Sequence, residues 1–158
     1  MKIAGSTLFD VPKEEIWRTV LDPASLLRLI PGCERIEQVG PDEYSGQVVV
    51  RLAGVAGTYT TRIRLVERDE PHGCRMEGEA EGAAGSILGT AAFRLSEQHG
   101  QTRLEYEGQG VIGGLLGTLG SRMVEGVVQS MIQQGLARLN EQLRREAEVG
   151  GEPRGGLD

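Results

Sequence analysis

Between Cys74 and Ile112, three successive segments put charge on one face and mostly glycine, alanine and scattered apolar residues on the other. In the run from Cys74 to Gly82 the charged residues Arg75, Glu77, Glu79 and Glu81 fall at every second position, which in a strand sends them all to one side of a sheet. The other side holds Cys74, Met76, Gly78, Ala80 and Gly82. The same face then receives Ile87, Gly89, Ala91, Phe93 and Leu95, and after the next turn Leu104, Tyr106, Gly108, Gly110 and Ile112. A sheet that needed this face only for a packed core would fill it with Val, Ile and Leu, because a strand glycine has no side chain to bury. Two explanations stay open at this point: a neighbouring element comes very close, or the gap is a ligand cavity.

Glycine makes up 24 of the 158 residues, about twice its usual share of ~7 %. Without accompanying Pro or Ser tracts, that excess points to bulged strands and not to disorder. The length suits one domain with a substantial core. A formal charge of −6 argues against a phosphate-backbone binder, so no nucleic acid partner is expected. Cys33 and Cys74 lack CxxC spacing and no apolar leader precedes the first strand, which gives the expectation of a cytoplasmic protein with reduced thiols. No run of ~18 apolar residues is present to span a membrane, while attachment to the inner face of one stays open.

Lys2 to Phe9 reads as a first strand, and Pro12-Lys13-Glu14-Glu15 as the start of a helix carrying Ile16, Trp17 and Val20 inward. Asp22-Pro23 ends that helix and caps a second one through Leu26, Leu27 and Leu29, which Pro31-Gly32 stops in turn. A meander of six strands follows: 34–39, 43–53, 57–68, 73–82, 86–96 and 102–112. Turn residues separate most of them, as in Gly40-Pro41-Asp42 and His99-Gly100. In Tyr59 to Leu65 the alternation puts Tyr59, Ile63 and Leu65 inside and Arg62 and Arg64 outside. From 115 to 147, Leu116, Leu119, Met123, Val127 and Met131 recur at helical spacing, with Val124, Val128 and Ile132 beside them. Gly120, Gly126 and Gly135 interrupt this stripe at about 1 kcal/mol each, so a helix break or a packing reason is expected there. Residues 1–148 form a single domain in this reading, with 149–158 as a flexible tail.

Signatures of catalysis are missing from the same residues. His72 and His99 stand in turns beside glycine, with no partner at metal-ligand spacing. Neither a Gly-x-Ser-x-Gly elbow nor a phosphate loop is present. Cys33 has no neighbour in sequence that lowers its pKa, and the glutamates at 77, 79, 81, 105 and 107 face water by phase. No catalytic residue, metal or cofactor is therefore expected. Trp17, Tyr59, Phe93 and Tyr106 all fall in the apolar phase, where core packing accounts for them; over a cavity, the two tyrosines become polar handles for a guest.

The element order, together with Val11-Pro12-Lys13-Glu14-Glu15-Ile16-Trp17, Leu21-Asp22-Pro23 and Ile30-Pro31-Gly32-Cys33-Glu34, resembles the START/Bet v 1-like helix-grip fold of the polyketide cyclase-like SRPBCC superfamily. With the Gly78 to Gly89 hairpin and Leu119-Gly120-Ser121-Arg122, it is similar to the carbon monoxide dehydrogenase CoxG family. The resemblance implies an α+β fold: a seven-stranded curved antiparallel sheet around a long C-terminal helix, with two short helices after the first strand. It further implies a non-enzymatic accessory of a carbon monoxide dehydrogenase or related molybdenum hydroxylase, handling quinone- or lipid-like molecules near the membrane. On this reading the gap lies under Gly78, Ala80, Gly89, Ala91, Gly108 and Gly110. It is lined further by Trp17, Leu27 and Ile30 from the short helices, and by Tyr59, Thr61, Ile63, Met76, Phe93 and Tyr106 from the sheet. Leu116, Leu119, Met123, Val127 and Met131 cover it. The alternatives are a polyketide cyclase- or hydrolase-like enzyme, and a ligand-free interaction module whose glycines merely admit the helix.

Overall fold

The computed structural model describes residues 1–52 and 54–151. Strand β1 (Lys2–Phe9) leads into α1 (Lys13–Val20) and α2 (Pro23–Leu29). Then come β2 (Cys33–Gly40), β3 (Glu43–Leu52), β4 (Val55–Asp69), β5 (Gly73–Gly82), β6 (Gly85–Gln98) and β7 (Gln101–Gly113). A 3₁₀ helix (Gly114–Leu119) and the long α3 (Ser121–Gly151) follow. The order β1-β7-β6-β5-β4-β3-β2 makes one seven-stranded antiparallel sheet, in which β1 returns to pair with β7. This is the helix-grip architecture expected from the sequence.

Local chemistry explains the boundaries. Asp22 caps α2, its carboxylate accepting from the Ser25 amide at 3.1 Å and the Ser25 hydroxyl at 2.9 Å, with Pro23 preset for the first turn. Asp22→Ala is expected to cost about 0.5–2 kcal/mol, read as a lower urea midpoint. Register shifts at Cys33/Arg35, Gln38/Gly40 and Leu65/Glu67 bend the strands and increase their twist. They also disrupt the free edge of β2, which bears Glu34, Arg35 and Glu37 and so discourages pairing with another chain. The opposite edge is covered by α3, where Glu125 accepts from the Lys2 amide at 3.1 Å and the Gln129 side chain donates to the Ala4 carbonyl at 2.9 Å. On the outer face, Arg64 pairs with Glu77 at 2.6 Å and Arg62 with Glu79 at 3.9 Å across β4 and β5. That is the solvent face read from the alternation.

One expectation is corrected. The C-terminal helix does not run unbroken from residue 115, because Gly120 takes a φ of 91° and separates the 3₁₀ helix from α3. Gly135 has the packing reason anticipated: a Cβ there would meet the Leu29 carbonyl oxygen at 3.2 Å, so α2 and α3 approach closely. At Gly126 a Cβ would meet open space, and no packing reason is found. Helix α3 continues to Gly151, three residues into the segment expected as a tail. The rest of that expectation lies outside the described residues.

The interior holds two packed clusters. One gathers Phe9, Ile16, Trp17, Tyr44, Leu95, Leu104, Leu139 and Leu143, with the Tyr44 hydroxyl donating to the Leu21 carbonyl at 2.6 Å. The other, smaller, is built on Leu52, Tyr59 and Leu116.

Candidate functional site

Residues of both clusters border a cavity of about 470 Å³ that opens between them. Its floor is the inner face of the sheet: Val48, Val50 and Leu52 of β3, Tyr59, Thr61 and Ile63 of β4, Gly78 and Ala80 of β5, and Ile87 of β6. Helix α3 forms the roof with Val124, Val127, Val128, Met131, Ile132, Gly135, Leu136 and Leu139. Val20, Leu26, Leu29, Ile30 and Pro31 close the side next to the short helices, and Met1 and Leu116 also border it. The volume falls in the ~300–1,000 Å³ range of small-molecule sites.

The polar groups on this lining are few. Tyr59 and Thr61 bring hydroxyls from one strand, while Arg62 and Glu79 border the cavity with side chains that reach solvent and pair there. Tyr59 is buried, and its ring lies against Gly82, where an added Cβ would stand 2.9 Å from the ring carbons. The absence of a side chain at Gly82 thus gives Tyr59 its place. Gly78 is different, because a Cβ there would find only the Arg62 carbonyl oxygen, at 3.6 Å. Beneath Gly78 the missing side chain leaves room, as the glycine pattern allowed.

Of the residues expected to line a gap, the structure brings together Ile30, Tyr59, Thr61, Ile63, Gly78, Ala80, Leu116, Val127 and Met131. The others stand elsewhere. Trp17 packs in the larger cluster 6.0 Å from the ring of Phe93, and its indole nitrogen donates to Glu70 at 2.7 Å. Met76 and Phe93 pack against that same cluster, and Leu27 is exposed on the outer side of α2. Tyr106 covers Gly5, which has no Cβ to obstruct it, and its hydroxyl accepts from Gln129 at 2.7 Å. Gly89, Gly108 and Gly110 are close-packing positions. An added Cβ at Gly89 would meet Gly110 Cα at 3.0 Å, one at Gly108 would meet Ile3 at 3.2 Å, and one at Gly110 would meet Met1 at 3.3 Å. Ala91 borders a depression beside Lys2 and Ala4. Leu119 and Met123 are exposed because the break at Gly120 resets the helical phase, so that Val124, Val128 and Ile132 turn inward.

The sequence reading missed the floor supplied by β3 and the wall supplied by Leu26, Leu29 and Pro31. Val48, Val50 and Leu52 alternate in the required phase, but Val49 and the bulged register of β2 mask it.

Burial raises the pKa of Tyr44, with nearby Arg68 opposing the shift, and burial raises that of Tyr106. Raised folded values mean that both phenols contribute stability fully present below the ordinary value of about 10 and lost as the pH climbs through the folded values. Urea midpoints measured above pH 10 are expected to fall, and Tyr106→Phe to flatten part of that fall. Burial also pushes up the thiols of Cys33 and Cys74, which disfavours a nucleophilic thiolate.

Solved structures share this architecture. A conserved protein from Geobacillus kaustophilus is 25% identical with a TM-score of 0.86, the match covering 92% of this chain and 96% of that one. The Zhui aromatase/cyclase from a Streptomyces species is 16% identical at a TM-score of 0.74, over 96% of this chain and 98% of its own. A START superfamily protein from Mycobacterium smegmatis is 12% identical at 0.69, over 91% and 97%. At such identities the last two speak for the fold alone. No curated protein matches the chain. The carbon monoxide dehydrogenase CoxG family profile matches residues 5–144, nearly the whole described chain, and the protein belongs to the CoxG family.

Proposed function

We propose that this protein binds and carries an apolar small molecule, of quinone or lipid type, as a non-catalytic accessory of a carbon monoxide dehydrogenase or related molybdenum hydroxylase. The observation that carries the reading is the apolar cavity of about 470 Å³ held between two packed clusters. A guest burying ~300 Å² of apolar surface there gains about 7 kcal/mol before the costs of ordering it. The hydroxyls of Tyr59 and Thr61 are placed to orient a carbonyl or hydroxyl of that guest.

A binding role is favoured over catalysis by where the titratable groups stand. His72 meets Lys13 at 2.9 Å and His99 lies in the exposed β6–β7 turn. The thiols are pushed away from ionisation. The molybdenum hydroxylase partner is proposed from the family's name and resemblance. No helix among the described residues is long and apolar enough to cross a membrane, and a cytoplasmic carrier touching the inner membrane face only peripherally fits this reading.

Titration of the delipidated full-length chain with menadione, and with the fluorescent fatty acid cis-parinaric acid, tests the proposal. Saturable one-to-one uptake of at least one of them is expected. A chain that takes neither, or that turns a probe over with a pH-dependent rate, contradicts it.

A further inference from the structure

The segment Gly114–Leu119 covers one end of the cavity and is attached in few places. Leu116 is its one buried residue, 1% exposed, and it inserts beside Leu52, Tyr59 and Ile87. Among the described residues, the backbone bond that ties the segment to the β5–β6 turn runs from the Leu116 amide to the Ala84 carbonyl at 2.9 Å. Leu115 and Leu119 face outward at 68% and 38% exposure, so the segment buries little besides that one leucine.

Its two ends are built to turn. Gly114 has a φ of 71° and Gly120 a φ of 91°, a region that L side chains rarely adopt and that glycine enters and leaves at low cost. Beside Gly120 nothing stands within 4 Å of where a Cβ would be, so that end has room to swing. The flanking elements are held more firmly, β7 between β6 and β1 in the sheet, and α3 by the bonds of Glu125 and Gln129 to β1. Segments with few buried contacts and sparse backbone bonding open locally at a free energy well below that of global unfolding.

We propose that Gly114–Leu119 is a hinged cover of the cavity, with Leu116 as its plug, that opens to admit and release the guest while the sheet and α3 stay in place. The proposal rests on the cavity being a ligand site. It deepens that reading by assigning the route of exchange to the end bounded by Leu52, Tyr59 and Ile87, and not to the α2 side.

Two measurements on the full-length chain test it. In native-state hydrogen exchange without any ligand, the Leu116 amide is expected to exchange at least ~100-fold faster than the slowest amides of the β6–β7 ladder, with a rate insensitive to low urea. An amide as slow as that ladder, exchanging only with global unfolding, overturns the hinged cover. In stopped-flow release of cis-parinaric acid, Leu116→Ala is expected to speed release by about tenfold or more, through loss of a buried anchor. Gly117→Ala acts in the other direction. Its backbone lies outside the left-handed region and its Cβ would make an ordinary 3.5 Å contact with the Ile112 carbonyl oxygen, so alanine favours the closed helical form and slows both uptake and release. Release rates unchanged in both variants overturn the proposal. If cis-parinaric acid and menadione both fail to bind at equilibrium, the ligand reading falls, while hydrogen exchange still decides whether the segment opens by itself.

Discussion

Gly78→Phe is expected to abolish uptake of an apolar guest while leaving the fold intact. Gly78 lies in the middle of β5 on the cavity floor, and the single neighbour of an added Cβ there is the Arg62 carbonyl oxygen at 3.6 Å. The ring therefore enters empty space. By displacing ~100 Å² of the guest's buried apolar surface, it removes about 2.5–3 kcal/mol of binding, close to a 100-fold loss of affinity. Stability should hold or rise, since an interior strand glycine is replaced by a residue that strands favour. Gly108→Leu is the control. Its Cβ already meets Ile3 at 3.2 Å, so the same enlargement overpacks the interior and costs about 1–3 kcal/mol. Isothermal titration with menadione together with thermal melts separates the two: affinity lost with stability kept at Gly78, and stability lost at Gly108.

Leu139→Ala is expected to give the largest loss of stability among these substitutions. Leu139 is 1% exposed and sits where the larger packed cluster meets the cavity, so it belongs to both. Truncation removes the transfer energy of the lost methyl groups and joins a new void to an existing one, which the surrounding helix and sheet cannot close. The cost is about 2–5 kcal/mol, a large part of the stability of a domain this size. A urea denaturation series reads it as a lowered midpoint with an unchanged slope. Because the enlarged cavity stays apolar, the variant should still take up a guest under conditions in which it is folded.

The sheet was legible because alternation in strands is a local signal. Arg75, Glu77, Glu79 and Glu81 fix the phase of β5, and the same phase places Gly78 and Ala80 on the cavity floor. The helix caps were equally local, as Asp22-Pro23 shows. What the chain concealed was which part of the glycine face is empty. Gly78 and Gly89 are paired neighbours across β5 and β6 and look alike in sequence, yet one meets open space and the other meets the backbone of β7. That difference comes from sheet curvature and from the reach of Met1 and Ile3, which are remote in the chain. The aromatic residues misled for a related reason. Trp17 and Tyr106 are inward by phase, but Glu70 and Gln129 engage their polar atoms. A continuous apolar stripe likewise carried the helix across Gly120, where a single positive φ reverses the roles of Met123 and Val124.

Whether the cavity is filled in the cell is read by native mass spectrometry of the full-length protein purified from its native host, followed by organic extraction. A carrier shows a small-molecule mass increment on the wild-type chain that extraction releases and that Gly78→Phe lacks. A wild-type chain found at its bare polypeptide mass under gentle conditions, and refusing both menadione and fatty acid after purification, is incompatible with a carrier.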